Sequence, residues 1–466
     1  MNLAKLKKNG FTLKSNWQDL NSKSIFFNYT KNVNKFKLFE KKTIIKNCKY
    51  IVCDYKFKEQ AKYKKNIKYF FKKNINNFAI ECSKIFFKYN IKIILVTGTN
   101  GKTSISFNAF KVLSKSSNNT AYIGTLGFYV KSRKIRNLQN TTPDFITLMN
   151  LIKESELQYK CKYIFIEASS IGFMEKRLGN LKADFGVLTN LKKDHLDYHG
   201  NIENYHISKI NLLKTHIKNK GKILIQDDVN SKYLNILSKK FKLINKEKFF
   251  YKNKINLIKE DEFNTKIYFD QKHIKTLSTI NNFVIKNCIS TFILLSFIKT
   301  NFKITDVFEN NIPGRHQVIY KKNNKLVIVD YAHTPDGIKN LLFPYRKLNL
   351  YKIIIFGCGG DRDITKRKKI ALVASKYTDF QIITDDNPRT ENPDTIRKNL
   401  KKYCKNYLDI PSRLKAIKKG FNILSKKKGI LFIVGKGHEN IQIFKDNITK
   451  FSDIKESKKL ARLFNK

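Results

Sequence analysis

Seven times in this chain a β-branched apolar run ends in a polar loop: IKIILV before GTNGKT, YIFI before EASS, FGVLTNL before KKDHLDYHG, LVIV before DYAH, YKIIIF before GCGGDRD, FQIIT before DDNPR and ILFIV before GKGHE. Runs this uniformly apolar are buried on both faces. Alternating as they do with helical segments, they predict parallel strands covered by helices, an α/β class, rather than the in–out alternation of an antiparallel sandwich. In open parallel sheets ligands bind off the carboxyl ends of the strands, where each polar loop falls. Two sheets are expected to carry functional edges, one from the middle of the chain and one from its C-terminal third.

The scarce residues sharpen this reading. Only 19 glycines and 7 prolines occur in 466 residues, so those that remain mark backbone positions a Lys or Asn could not occupy. Eleven of the glycines (98, 101, 172, 200, 314, 337, 357, 359, 360, 435, 437) and five of the prolines (143, 313, 335, 388, 393) fall in nine short stretches. Besides the loops above, these include NTTPD (140–144) and IPGRH (312–316).

The net charge of +56, from 93 Lys and Arg against 37 Asp and Glu, would alone point to nucleic acid or an anionic membrane. Here the excess is spread along the whole chain with abundant Asn, Ile, Phe and Tyr, and no nucleic-acid-binding motif accompanies it. Neither nucleic acid nor a membrane is therefore expected as a partner. The seven cysteines are scattered without a CxxC, which argues against a disulfide framework or a zinc site and fits a reduced compartment. MNLAKLKKNG lacks the apolar core of a signal peptide, and STFILLSFI (290–298) is too short to span a bilayer. A soluble, cytoplasmic protein is expected.

VTGTNGKTS (96–104) carries the most specific chemistry. A strand running into a Gly-rich turn and then a helix aims backbone N–H groups and the positive helix end at one point, as phosphate binding requires. Gly98, Thr99, Asn100, Gly101, Lys102, Thr103 and Ser104 are the candidate phosphate loop. Lys102 would reach the outer phosphates and Thr103 would sit on Mg²⁺. The strict GxxxxGK[ST] pattern fails, because Val96 stands at its first glycine.

Taken together and in this order, TNLKKDHLDYHG, DYAHTPD, GCGGDRD, DDNPRTENP and GKGHE beside GTNGKT closely resemble the Mur ligases of bacterial peptidoglycan synthesis, most closely those adding the third amino acid. The resemblance covers most of residues 91–455. It implies three domains: a small α/β UDP-sugar-binding domain at 1–80, a central P-loop-type ATPase with a parallel sheet at 81–311, and a Rossmann-like amino-acid-binding domain at 312–466. It also implies an ATP- and Mg²⁺-dependent amide ligase. Such an enzyme converts a carboxylate to an acyl phosphate that an amine can attack, and works on small molecules: ATP, a UDP-sugar dipeptide and meso-diaminopimelate. A monomer is expected.

Residue by residue, the resemblance gives Lys102 the phosphates and gives Thr103, Glu167 and His195 the magnesium. Lys209 of NYHISK matches a lysine that becomes carbamylated. Lys102, Lys209 and His195 are thus the catalytic candidates. Leu13, Ser15, Asn140, Thr141, Thr142, Ser169, Glu175 and Arg177 match positions that hold the UDP-sugar dipeptide. Asn287, Arg315, Asp330 and His333 match residues facing ATP. Diaminopimelate carries a second carboxylate that lysine lacks, and a guanidinium pairs with carboxylate in a two-pronged fork. Arg389 with Arg362 would supply it, and Asp386, Asn387, Pro388, Gly435 and Glu439 complete the amino-acid pocket.

The chain departs from the family pattern at four places. Ile171 replaces a customary His, Glu175 stands where Gln is usual, Asn16 replaces an Arg, and NNFVIKN (281–287), with Val284, lacks an expected Gly and Asn. Two alternatives remain open at this level. A lysine-adding or folylpolyglutamate-type ligase is distinguished by Arg389 and by which amine supports ATP turnover. A basic P-loop nucleic-acid-binding protein would show salt-sensitive binding that survives loss of Lys102.

Overall fold

The computed structural model describes residues 2–63, 66–116, 119–226, 229–245, 255–298, 300–309 and 311–464. The chain divides into two compact units, Met1–Lys246 and Glu247–Lys466.

The first unit holds two sheets. The smaller is all parallel, in the order Thr12–Lys14, Ser24–Asn28, Tyr50–Asp54 and Lys68–Lys72. One of its faces packs around Phe26, Phe36 and Phe57, with the Phe36 and Phe57 rings stacked at 4.5 Å. Its first strand is tied to the rest of the unit, since the Asn150 side chain donates to the Leu13 carbonyl at 2.9 Å.

The larger sheet has eight strands, in the order Lys242–Asn245, Ile217–Ile225, Ala183–Leu188, Lys92–Thr97, Tyr163–Glu167, Thr120–Gly124, Gly127–Val130 and Arg133–Arg136. All pairings are parallel except the last two. The apolar runs land at its centre: Ile93, Ile94, Leu95 and Val96 are wholly buried, as are Ile164, Phe165 and Ile166. Register sets which loops become neighbours. Val96 pairs with both Val187 and Glu167, so the loops after residues 97, 167 and 188 leave the same sheet edge side by side. Within this sheet the chain enters at Lys92–Thr97, adds strands on one side and later crosses to the other, which makes this edge the topological switch point where ligands bind in such sheets.

The second unit opens with an antiparallel sheet of Ile255–Lys259, Thr265–Phe269 and Lys272–Leu277. Then comes helix Asn282–Phe297, whose apolar residues are buried nearly all round. Asn281 caps it, accepting from the Phe283 and Val284 amides, while its Nδ2 donates to the Asn340 carbonyl at 3.0 Å. The NNFVIKN departure thus still carries a structural asparagine at its start. The principal sheet has six strands, in the order Gln317–Lys322, Lys325–Asp330, Gly429–Val434, Tyr351–Phe356, Phe380–Ile383 and Tyr407–Asp409, with only the first pairing antiparallel. Every apolar run of the C-terminal third becomes one of its inner strands. The expected α/β class, with parallel sheets and a Rossmann-like C-terminal arrangement, is borne out.

Candidate functional site

The candidate phosphate loop, residues 98–104, is fixed by its neighbour across the sheet edge. Gly98 has φ +140°, and a Cβ there would lie 1.9 Å from Thr189 Oγ1. The Thr99 amide donates to the Asn190 carbonyl at 2.9 Å and the Asn100 amide to Asn190 Oδ1 at 3.0 Å; Thr189 Oγ1 and Asn190 Nδ2 donate to the Asn100 carbonyl at 2.6 and 3.0 Å. Helix Lys102–Ser116 begins directly at the loop, its Ile105 amide donating to the Gly101 carbonyl at 3.0 Å, so the positive end of the helix lies at the loop. Lys102 Nζ donates to the Gly98 and Thr99 carbonyls, both at 2.9 Å.

Behind the loop lies a carboxylate buried among donors. Glu167 is 0% exposed; it accepts from Thr103 Oγ1 at 2.9 Å, from Thr125 Oγ1 at 3.0 Å, from the Thr125 amide at 3.1 Å and from the Tyr122 hydroxyl. Thr125 Oγ1 also meets Thr141 Oγ1 at 3.1 Å. Thr142 Oγ1 donates to the Glu167 carbonyl at 2.9 Å and accepts from the Ser169 amide at 2.9 Å, and the Arg177 guanidinium donates to the Thr142 carbonyl at 2.9 Å. Thr141, Thr142, Ser169 and Arg177 are therefore joined by hydrogen bonds to the Glu167 end of the site. Glu175 engages Arg177, its Oε2 accepting from Nε at 2.8 Å and pairing with Nη2. Leu13 is buried and Ser15 Oγ meets Thr147 Oγ1 at 2.8 Å, whereas Asn140 is exposed.

On the other side of the loop, Lys209 is 1% exposed and its Nζ donates to the Gly98 carbonyl at 3.0 Å. Burial, and secondarily the charge of Lys102, hold its amine well below the usual lysine range. Tyr205 organises this corner: its ring lies 4.4 Å from Lys209 Nζ, its hydroxyl donates to Thr99 Oγ1 at 3.3 Å, and the His195 ring is 6.1 Å away. His195 has a left-handed backbone (φ +50°), a side chain 46% exposed, and Asp194 beside it at 3.6 Å. Among the described residues no three His, Cys, Asp or Glu side chains are grouped as a metal centre.

The second unit gathers four loops on the carboxyl edge of its sheet. Asn387 Nδ2 donates to Glu439 Oε2 at 2.8 Å, and Tyr331 OH donates to Glu439 Oε1 at 3.3 Å. Arg389, with a left-handed backbone (φ +55°), donates through Nη1 to the Gly360 carbonyl at 2.8 Å, and its amide to the Ile443 carbonyl at 3.0 Å. A Cβ on Gly435 would come within 2.5 Å of Asp386 Oδ2, and one on Gly360 within 1.9 Å of the Pro388 carbonyl, so these loops touch at close quarters. Arg362 is exposed on the same edge. Arg315 lies over the Tyr331 ring at 4.5 Å, and Asp330 accepts the His316 and Ala332 amides, both at 2.6 Å. Burial raises the Asp330 carboxyl above its ordinary value, with Arg315 opposing. His333 is exposed and packs edge-on to Tyr331 at 4.7 Å; Asn287 is buried in its helix.

Sequence reasoning missed Tyr122, Thr125, Asn190, Tyr205, Tyr331 and Lys436. Four of these sit inside or beside stretches already singled out. Tyr122 and Thr125 flank Gly124, a glycine outside those stretches, where a Cβ would fall 2.3 Å from Glu167 Oε1. The scarcity of glycine was the signal that could have found them.

Residues 96–319 match the Mur ligase middle domain and residues 314–437 the Mur ligase, glutamate ligase domain. The chain is 35% identical over 381 residues to a UDP-N-acetylmuramoyl-L-alanyl-D-glutamate–2,6-diaminopimelate ligase of Clostridium botulinum, covering 78% of this chain and 76% of the relative. It is 33% identical to the ligase of that name from Helicobacter pylori, covering 79% and 84%. Among solved structures, one of a UDP-N-acetylmuramoyl-L-alanyl-D-glutamate–2,6-diaminopimelate ligase aligns over 98% of this chain and 95% of its own with a TM-score of 0.58 at 24% identity. A MurF ligase from Thermotoga maritima in complex with ADP aligns over 100% and 99% with a TM-score of 0.64 at 14% identity. The chain belongs to the Mur ligase family.

Proposed function

We propose that this chain is the ATP-dependent ligase that joins meso-2,6-diaminopimelate to UDP-N-acetylmuramoyl-L-alanyl-D-glutamate in peptidoglycan precursor synthesis. A carboxylate oxygen of the glutamyl residue attacks the γ-phosphorus of ATP and ADP leaves. The amine of diaminopimelate then attacks the acyl carbon, forming the amide while phosphate departs and the amine loses a proton. The reaction brings a polyanion to an anionic nucleophile, so positive charge at the phosphate loop is the first requirement. The observation that carries this reading is the pair of lysines at Gly98, Lys102 at 2.9 Å and buried Lys209 at 3.0 Å from its carbonyl oxygen.

Lys102 is assigned to the phosphates. Thr103 and Glu167 would hold Mg²⁺: a hydroxyl and a carboxylate 2.9 Å apart form the oxygen donor set that this hard cation prefers. When bound, the ion neutralises charge on the phosphates; His195 belongs to the same assignment. Burial lowers the Lys209 amine well below the usual lysine range, which favours the unprotonated form that carbamate formation requires. Thr141, Thr142, Ser169 and Arg177 are assigned to the acceptor dipeptide, with Leu13, Ser15, Asn140 and Glu175 toward its UDP-sugar portion, and Asn287, Arg315, Asp330 and His333 to the nucleotide. Arg389, Arg362, Asp386, Asn387, Pro388, Gly435 and Glu439 are assigned to diaminopimelate. Residues 1–80, 81–311 and 312–466 are the corresponding functional domains of a cytoplasmic monomer. No helix among the described residues is long and apolar enough to cross a membrane.

The test is phosphate release from ATP in the presence of the UDP-sugar dipeptide. Turnover is expected with meso-diaminopimelate and reduced by up to ~10⁴ with L-lysine, which leaves Arg389 without its carboxylate. Lys102→Ala is expected to abolish turnover while the protein stays folded. Equal use of both amines overturns the specificity assignment.

A further inference from the structure

We infer that Lys436 is a positioning residue for amine recognition, fixing the carboxylate of Glu439 and the amide of Asn387 in one arrangement. This rests on the assignment of Asn387 and Glu439 to the diaminopimelate pocket.

Lys436 follows Gly435 at the end of strand Gly429–Val434, and it is 0% exposed. A lysine so fully buried needs partners for its ammonium, and it has two: Nζ donates to Asn387 Oδ1 at 3.0 Å and to Glu439 Oε2 at 3.1 Å. The same Asn387 Oδ1 accepts the Ile443 amide at 3.0 Å. With two donors aimed at its oxygen, the Asn387 amide has one acceptable orientation, which turns Nδ2 toward Glu439 Oε2 at 2.8 Å. Oε2 is therefore committed to Lys436 and Asn387, leaving Oε1, which meets the Tyr331 hydroxyl at 3.3 Å, as the oxygen available to a substrate ammonium.

Backbone packing holds the lysine there. A Cβ on Gly437 would lie 2.7 Å from Tyr331 Cβ, and one on Gly314 would lie 2.3 Å from the His438 amide nitrogen, so the 435–439 loop cannot swing the ammonium elsewhere without opening both contacts. Loss of Lys436 would leave the Asn387 oxygen with the Ile443 amide as its one remaining donor here and the Glu439 carboxylate free to turn, and misplacement on that scale costs up to ~10²-fold.

The experiment compares the full-length protein with Lys436→Met and Lys436→Gln in ATP-dependent phosphate release, varying meso-diaminopimelate and ATP separately. In Lys436→Met the KM for diaminopimelate is expected to rise about tenfold to hundredfold while the KM for ATP moves less than about threefold. Lys436→Gln keeps an N–H donor for Asn387 Oδ1 and is expected to recover part of that loss; if the Met variant fails to fold, it carries the same split between the two KM values. An unchanged diaminopimelate KM in either folded variant, or parallel rises for both substrates, overturns the inference. Absence of diaminopimelate-dependent turnover in the unsubstituted protein instead overturns the function assigned above.

Discussion

Lys209 Nζ donates to the Gly98 carbonyl at 3.0 Å from a side chain that is 1% exposed, with the tip of Lys102 on the same oxygen at 2.9 Å. Two lysines converging on one carbonyl cannot both stay charged cheaply. The buried one gives way, and its amine sits well below the lysine range. Because its folded-state pKa is lowered, the unfolded chain binds a proton that the native chain does not at every pH between the two values, so this residue makes stability rise with pH. Lys209→Met removes that cost, and Gly98 keeps Lys102 as a donor. The variant is expected to be no less stable than the parent near neutrality in bicarbonate-free buffer, with any advantage shrinking as pH approaches ~10.4. Lys209→Ala is expected to lose ligation and to regain part of it with added short carboxylates. Full activity without them would count against the carbamate.

Gly98→Ala tests the loop itself. A methyl group there would sit 1.9 Å from Thr189 Oγ1, on a backbone with φ +140° that L residues rarely adopt. Strain of about 1–3 kcal/mol is expected, with the loop displaced from Asn190 and nucleotide affinity lost. Equilibrium binding of ADP and thermal unfolding measure the two effects, and unchanged ADP affinity would contradict the assigned role of this backbone.

The seven apolar runs were legible because a buried parallel strand admits little but β-branched and aromatic residues, and each became a strand of one of the two main sheets. The GTNGKT, EASSIG, DDNPR and GKGHE loops, to which the proposed site is assigned, stood out because scarce glycines and prolines mark backbone that cannot vary, and each leaves the carboxyl end of a strand. What stayed hidden is the layer behind them. Tyr122, Thr125, Tyr205 and Lys436 act through side-chain contacts set by sheet register, such as Val96 opposite Glu167, and register leaves no local mark on a sequence. Lys436 was hidden further by composition, since one functional lysine does not stand out among 93 Lys and Arg.

Glu175, where the family resemblance leads one to expect a Gln, engages Arg177 directly. Its Oε2 takes the Nε and Nη2 donors of Arg177, the cation assigned to an anionic group of the acceptor. An incoming carboxylate must compete with this internal one and tolerate its charge. Glu175→Gln is therefore expected to lower the KM for the UDP-sugar dipeptide about twofold to fivefold, the span of a partly exposed ion pair, leaving the KM for ATP and diaminopimelate unchanged. A KM for the dipeptide that stays level or rises would show that Glu175 does not compete for Arg177.

Arg413 and Asp453 form a wholly buried pair, each side chain 0% exposed, with Nε–Oδ1 at 2.7 Å and Nη2–Oδ2 at 2.8 Å. The guanidinium also donates to the Val434 carbonyl at 2.7 Å, joining helix Arg413–Ser425 and helix Asp453–Leu463 to the strand end that precedes Gly435 and Lys436. Removing one partner strands a charge in the interior. Asp453→Ala is expected to destabilise the protein by about 3–5 kcal/mol, whereas replacing both residues by apolar ones, Arg413→Met with Asp453→Leu, removes charge and partner together and is expected to be far milder. Because Val434 O loses its donor in the double variant, the strand end loosens, and the KM for diaminopimelate is expected to rise even where stability is regained. Denaturant unfolding of both variants, beside the diaminopimelate KM of the double one, separates the two roles: a double variant as unstable as Asp453→Ala would contradict the stability argument, and one with an unaltered KM would place this pair outside amine recognition.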